Sequence, residues 1–203
     1  MITEEKRKQI LACVMGLMYY YGAMRWADLY EQVEVRLAGG LAKEEFRTLL
    51  AQTALDDGSR YVFEFADDIC FDFDVDDSEW VLTEQAKQSE LIFRPVNEHE
   101  AAAVVSDHYT SLWSEHERAF YNWLEDRCGH DHDLALALFL EYASLIKNGL
   151  EPLELVKRVV AQLEISAVEE MEKTAALIVQ FVTATPLWTL KGWRRSELMQ
   201  GEV

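Results

Sequence analysis

The chain is expected to fold as a mainly α-helical protein: a winged-helix-like domain of three helices and a β-hairpin, followed by an α-helical bundle. Two observations predict this. Apolar residues recur at spacings of three and four up to Gly58, then alternate with polar residues from Tyr61 to Val75. Helical spacing returns after Asn97 and persists to the end of the chain.

Thr3 is placed to cap a first helix whose apolar residues are Ile10, Leu11, Val14, Leu17 and Met18, ending near Gly22. Trp26, Leu29, Tyr30, Val33 and Leu37 form the second, stopped by Gly39-Gly40. The third runs from Lys43 to Asp57, buried through Phe46, Leu49, Leu50 and Leu55 and closed by Gly58. Next comes the hairpin. Tyr61, Phe63 and Phe65 alternate with Val62 and Glu64, Asp67-Asp68 make the turn, and Ile69, Phe71, Phe73 and Val75 share the core face of the return strand. Three helices and then a hairpin within about 75 residues is the order of an elaborated helix-turn-helix.

Ser78 to Ser89 reads as a further helix carrying Trp80 and Leu82. The extended Leu91–Val96 stretch, with Pro95, then marks a passage between domains. A boundary near residue 96 divides the chain into 1–96 and 97–203. In the second part Asn97 and Glu100 form a capping box, and Ser114 to Arg127 is a helix with Phe120, Trp123 and Leu124 inward. Asp131 to Lys147 follows, ending at Asn148-Gly149. Pro152 opens a helix that reaches Leu163, Ser166 and Glu169 form a capping box for a long helix ending at Thr183 to Pro186, and a short helix starts near Arg194.

Composition excludes several roles. Nineteen Lys and Arg against 37 Asp and Glu leave a charge of -18, divided as -9 before residue 97 and -9 after it. Such a surface repels a phosphate backbone, so nucleic acid is a disfavoured partner and a basic protein a favoured one. The three cysteines, Cys13, Cys70 and Cys128, lie too far apart for a Cys-x-x-Cys pair, which suits a reducing cytoplasm. No apolar stretch reaches the roughly 18 to 20 residues of a membrane span, and no signal peptide or anchor is expected.

Three groups of residues invite a chemical reading. Asp72, Asp74 and Asp76 imitate the opening of a calcium loop, but Asp77 stands where that loop needs Gly and Thr83 where it needs Glu. Alternation in a strand explains the same aspartates as a solvated face. Cys128, His130 and His132, with Asp131 and Asp133 between and beyond them and His108 and His116 upstream, offer ligand types for zinc and the basis of a metal-dependent hydrolase. Gly129 and Asp131 are equally at home between two helices, as helix stop and helix cap. No nucleophile elbow, phosphate loop or His-Glu-x-x-His is present in the sequence, so catalysis and cofactors are not expected. The third helix would be the recognition helix of a DNA-binding regulator, yet it sets Lys43, Arg47 and Gln52 beside Glu44, Glu45, Asp56 and Asp57. Trp188 and Trp193 bracket a Leu-Lys-Gly turn; they serve either as an anchor for a partner or, as preferred here, as a clamp of the final turn onto the bundle, with Gly192 permitting the bend.

The segment Thr185-Pro186-Leu187-Trp188-Thr189-Leu190-Lys191-Gly192-Trp193 and the Glu197-Leu198 that follows resemble the close of the helical domain in bacterial proteins carrying a SEC-C zinc motif. Asn148-Gly149 before Glu151-Pro152 is similar too. The resemblance implies a helical domain leading into a metal-binding tail. Here Met199-Gln200-Gly201-Glu202-Val203 contains no ligand, so no functional residue is carried over. The expectation is therefore a non-catalytic cytoplasmic protein acting through protein contacts, with a DNA-binding regulator and a metal-dependent hydrolase as alternatives.

Overall fold

The computed structural model describes residues 2–37, 40–56, 61–106 and 109–201. Among these residues ten α-helices, two 3-10 turns and one three-stranded antiparallel sheet form two compact units. The first unit comprises Met1–Leu112 and Trp188–Gly192; the second comprises Trp113–Leu187 and Trp193–Val203.

The first unit runs α1 (Glu4–Tyr21), β1 (Ala23–Arg25), α2 (Trp26–Arg36), α3 (Lys43–Ala54), β2 (Phe63–Ala66), β3 (Ile69–Asp72), α4 (Ser78–Lys87) and α5 (Glu98–Val104). The Thr3 hydroxyl caps α1 by accepting from the Lys6 amide at 3.3 Å, and Gly22 ends it with φ +71°. The stops expected at Gly39, Asp57 and Gly58 lie outside the described residues, but α3 already ends at Ala54. Asp67 and Asp68 both adopt positive φ, 49° and 63°, which gives the two-residue hairpin turn the twist that antiparallel strands need.

The sheet order is β1-β3-β2, with Ala23 opposite Phe71 and Phe63 opposite Asp72. Together with the sequence order this is the arrangement of a winged helix-turn-helix. Strand β1 has three residues between Gly22 and Trp26, too few to show an alternation, and the periodicity misses it.

The expected core face of β3 needs correction. Ile69 and Cys70 are consecutive and both fully buried. The cause is the central position of β3: Cys70 packs with the α1–α3 core, while Ile69 joins Ala23, Val75, Val81 and Trp188 in a second cluster. A strand covered on both faces does not alternate. Phe73, expected on the core face, lies in the turn after β3 and is 63% exposed; Leu55, expected in the core, lies just past α3 and is 84% exposed.

Helix α5 belongs to the first unit, so a boundary near residue 96 falls inside it. The capping box of Asn97 and Glu100 forms as expected. Gly16 of α1 explains how closely α5 approaches, because a Cβ there would lie 2.5 Å from the Cα of Ala101. A Pro95 turn therefore reads as a domain passage in the sequence and is a bend within one core.

The second unit is helical throughout its described residues: α6 (Glu115–Arg127), α7 (His132–Lys147), α8 (Pro152–Gln162), α9 (Val168–Ala184) and α10 (Arg195–Gln200). Its centre is aromatic. Phe120 stacks on Phe181 at 4.3 Å between ring centroids, and Phe139 lies 4.1 Å from Trp113. Ser114 with Glu117 caps α6 reciprocally, and Glu117 also meets Arg194 at 3.4 Å. The capping box expected from Ser166 does not form. Helix α9 begins one residue later, with Ala167 at the cap and no side-chain acceptor.

Candidate functional site

The face formed by α3 and the β2–β3 hairpin is where a winged-helix DNA reader would touch its duplex. Phe46, Leu49, Leu50 and Thr53 turn one side of α3 into the core, which leaves Lys43, Glu44, Glu45 and Arg47 at or near solvent. The two cations are exposed and also make contacts within the domain. The Lys43 ammonium lies 5.5 Å from the ring centres of both Trp26 and Tyr30. The Arg47 guanidinium lies 5.6 Å from Trp26, and its Nε and Nη2 both donate to Asp68 Oδ1, at 3.1 and 2.6 Å. Cation–π contact and a forked ion pair thus engage the basic groups of the helix within the domain.

Beside them the hairpin contributes Glu64, Asp67, Asp68, Asp72 and Asp74. Strand β2 is an edge of the sheet, since β3 covers only one of its sides. Where α3 meets β2, Leu55, Val62 and Phe73 line a groove of about 450 Å³ with Asp56 and Glu64 among its walls. All three apolar side chains are largely exposed, and their grouping makes an apolar strip in an acidic surround. Leu55 and Phe73 were read from the sequence as core, so periodicity concealed this patch.

Among the described residues Asp72, Asp74 and Asp76 do not form a group that could hold a metal ion. Asp72 Oδ1 accepts from the Asp74 amide at 3.0 Å, and the neighbouring Asp77 caps α4 through the Trp80 amide at 2.9 Å. The Asp72 and Asp77 carboxylates thus organise the turn from strand to helix.

Cys128 and His130 sit between α6 and α7, and His132 is the first residue of α7. His132 Nδ1 lies 2.6 Å from Glu125, His130 Nδ1 lies 3.7 Å from Asp126, and the two imidazoles are about three-quarters exposed. Asp131 caps α7 through the Leu134 amide at 3.1 Å. Burial and the nearby Asp131 push the Cys128 thiol above its ordinary pKa, which disfavours the thiolate a metal would require. Among the described residues no group of three or more His, Cys, Asp or Glu is disposed to hold a metal ion; His108 lies outside them.

Trp188 and Trp193 are both buried. Trp188 closes onto the first unit instead of the helical bundle expected from the sequence. Its indole Nε1 donates to the Tyr19 carbonyl at 3.1 Å, and its ring fills the space above Gly22. Gln85, a buried polar residue of α4 that the sequence reading passed over, donates through Nε2 to the carbonyls of Tyr21 at 2.7 Å and Trp188 at 3.0 Å. Lys191 Nζ donates to the Gln88 and Leu91 carbonyls at 2.8 and 2.7 Å, and the Arg94 amide donates to the Lys191 carbonyl at 3.0 Å. Gly192 has φ +87° against the Tyr21 ring. Trp188–Gly192 is thus a clasp held by hydrogen bonds, those of Gln85 buried, while Trp193 is a buried residue of the second unit.

Among the described residues no helix is long and apolar enough to cross a membrane. Comparison with models of known protein families, with curated proteins and with solved structures finds no match to this chain.

Proposed function

We propose that this chain is a non-catalytic protein-interaction module that presents its α3–hairpin face to a basic partner protein. The observation that carries the reading is the excess of exposed carboxylates on α3 and the hairpin over the two cations there, Lys43 and Arg47. With only those two cations against Glu44, Glu45, Glu64, Asp67, Asp68, Asp72 and Asp74, the face offers few charges to neutralise phosphate and many to attract lysine and arginine. The strip of Leu55, Val62 and Phe73 supplies the apolar centre that an interface surrounded by charge requires. A cytoplasmic setting fits the three unpaired cysteines, two of them buried. The resemblance of residues 185–198 to the helical domain of SEC-C proteins belongs to the same reading, as a helical scaffold.

The second reading, a DNA-binding regulator, is favoured by the order α1-β1-α2-α3-β2-β3 and opposed by the charge on the face that order would use.

One titration separates the two. A labelled random duplex and a labelled peptide alternating lysine with leucine are each added at low and at moderate salt. The proposal expects no salt-dependent duplex binding, saturable peptide binding, and a loss on the order of 10-fold or more when Phe73 is replaced by Ser. Salt-dependent duplex binding, or peptide binding unaffected by Phe73→Ser and Leu55→Ser together, overturns it.

A further inference from the structure

A second cavity, of about 450 Å³, lies in the first unit between α1, the end of α2 and the start of α5. Its walls are mostly apolar, formed by Ala12, Cys13, Leu17, Val96 and Ala101. None of these residues belongs to the α3–hairpin face. That size and lining are those of a small-molecule site, which needs a few placed polar groups to orient its occupant.

Arg36 supplies such a group. Its Nε donates to the Val96 carbonyl at 3.3 Å, and its Nη1 donates to the Gln32 carbonyl at 2.8 Å and the Gln32 Oε1 at 2.7 Å. These three bonds pin the guanidinium against the cavity wall. Nη2 meets no acceptor among the described residues, although Arg36 is half-buried. A fixed guanidinium with spare donors matches a carboxylate.

The local charge agrees. Lys6 Nζ donates to the carbonyl of Leu37, another lining residue, at 2.9 Å, so two cations flank the cavity in a chain of net charge -18. The one carboxylate in the lining, Glu98, lies on the exposed first turn of α5, where water screens it. Burial holds the Cys13 thiol up at about 11, so this wall is uncharged at neutral pH.

We propose that this cavity binds an apolar monocarboxylate, its chain against Ala12, Leu17 and Ala101 and its carboxylate on Nη2 of Arg36. An apolar amine is the competing occupant; it would have Glu98 to attract it and Arg36 with Lys6 to repel it.

The test is calorimetric titration of the full chain with octanoate, octylamine and octanol. Octanoate is expected to bind saturably with one site per chain and at least about 10-fold more tightly than the other two. Arg36→Gln should weaken octanoate by about 10-fold or more, consistent with loss of a charge-assisted hydrogen bond, and leave octanol unchanged. Ala102→Trp, at an exposed residue of the lining, should block all three by filling the space; it serves as the measurement if Arg36→Gln fails to fold. No saturable binding of octanoate overturns the proposal. So do equal affinities for octanoate and octylamine, octanoate binding indifferent to Arg36→Gln, or binding unaffected by Ala102→Trp.

Discussion

Removing the Gln85 amide should loosen the clasp and leave the rest of the first unit in place. Gln85 is 4% exposed, and Nε2 serves two close carbonyls from distant parts of the chain, Tyr21 at the end of α1 and Trp188 in the returning segment, with the Ala23 carbonyl farther off at 3.5 Å. Each buried carbonyl stripped of its donor costs about 1 to 3 kcal/mol. Gln85→Met keeps the length of the side chain and deletes the amide, so with two carbonyls stripped of their donor the expected cost is about 2 to 6 kcal/mol. Gln85→Ala adds the loss of packed atoms, about a further 2 kcal/mol or more. Gln88→Ala, at an exposed neighbour that engages the clasp only through its backbone carbonyl, should change stability by less than about 0.5 kcal/mol. Urea unfolding followed by circular dichroism and by tryptophan fluorescence measures all three. A Gln85→Met midpoint equivalent to within about 0.5 kcal/mol of the parent would refute the reasoning, because the two carbonyls would then have found other donors.

Gly22→Ala should be among the most damaging single-methyl changes in the chain. The backbone sits at φ +71°, and the added Cβ would lie 2.4 Å from Cγ of Trp188, so a loss of about 3 kcal/mol or more is expected in the same urea assay. Gly129→Ala shares the positive φ with nothing within 4 Å of the new Cβ and should cost only about 1 to 2 kcal/mol. Alkaline titration offers an independent check. Burial pushes Tyr21 and Tyr142 up to about 12 from an ordinary 10, so the folded state holds these protons longer than the unfolded one. Their contribution is complete below pH 10 and lost as the pH rises towards 12, by up to about 1.4 kcal/mol per pH unit for each. Tyr21→Phe should flatten that slope, measured as urea midpoint against pH; equal slopes would contradict the shift.

Helix placement was legible because caps and breakers are local. Thr3, Asn97, Ser114 and Asp131 announce their helices through hydrogen bonds made within three residues, and Pro152 opens its own. Ser166 misled because a capping box is a pattern that two adjacent start positions can nearly satisfy. The sheet was half legible. Alternation placed β2 and β3, but the central strand is buried on both faces, and the consecutive Ile69 and Cys70 record a tertiary fact that no period encodes. The clasp was legible only in composition: Trp188 and Gly192 stood out, yet their partners Gly22, Gln85 and Tyr21 lie about 100 residues or more away. Arg36 gave no signal, since a lone arginine at a helix end is ordinary until its three acceptors are known.

The ion pair between Arg47 and Asp68 does not itself decide which partner the α3–hairpin face can hold. Both side chains are about half exposed, and such a pair contributes about 1 kcal/mol or less. A phosphate could displace Asp68 from Arg47 at little cost. What opposes a duplex is the field of the acids that remain: Glu44, Glu45, Asp56, Glu64, Asp67, Asp72 and Asp74 stay on α3 and the hairpin whichever group Arg47 contacts, against only Lys43 and Arg47 among the described cations of these elements. Counterion release scales with the number of phosphates neutralised, and two cations release little. Neutralising Asp68 alone would therefore free an arginine without creating a nucleic-acid surface, whereas a basic peptide would meet the whole acidic field and could bury its apolar side chains against Leu55, Val62 and Phe73.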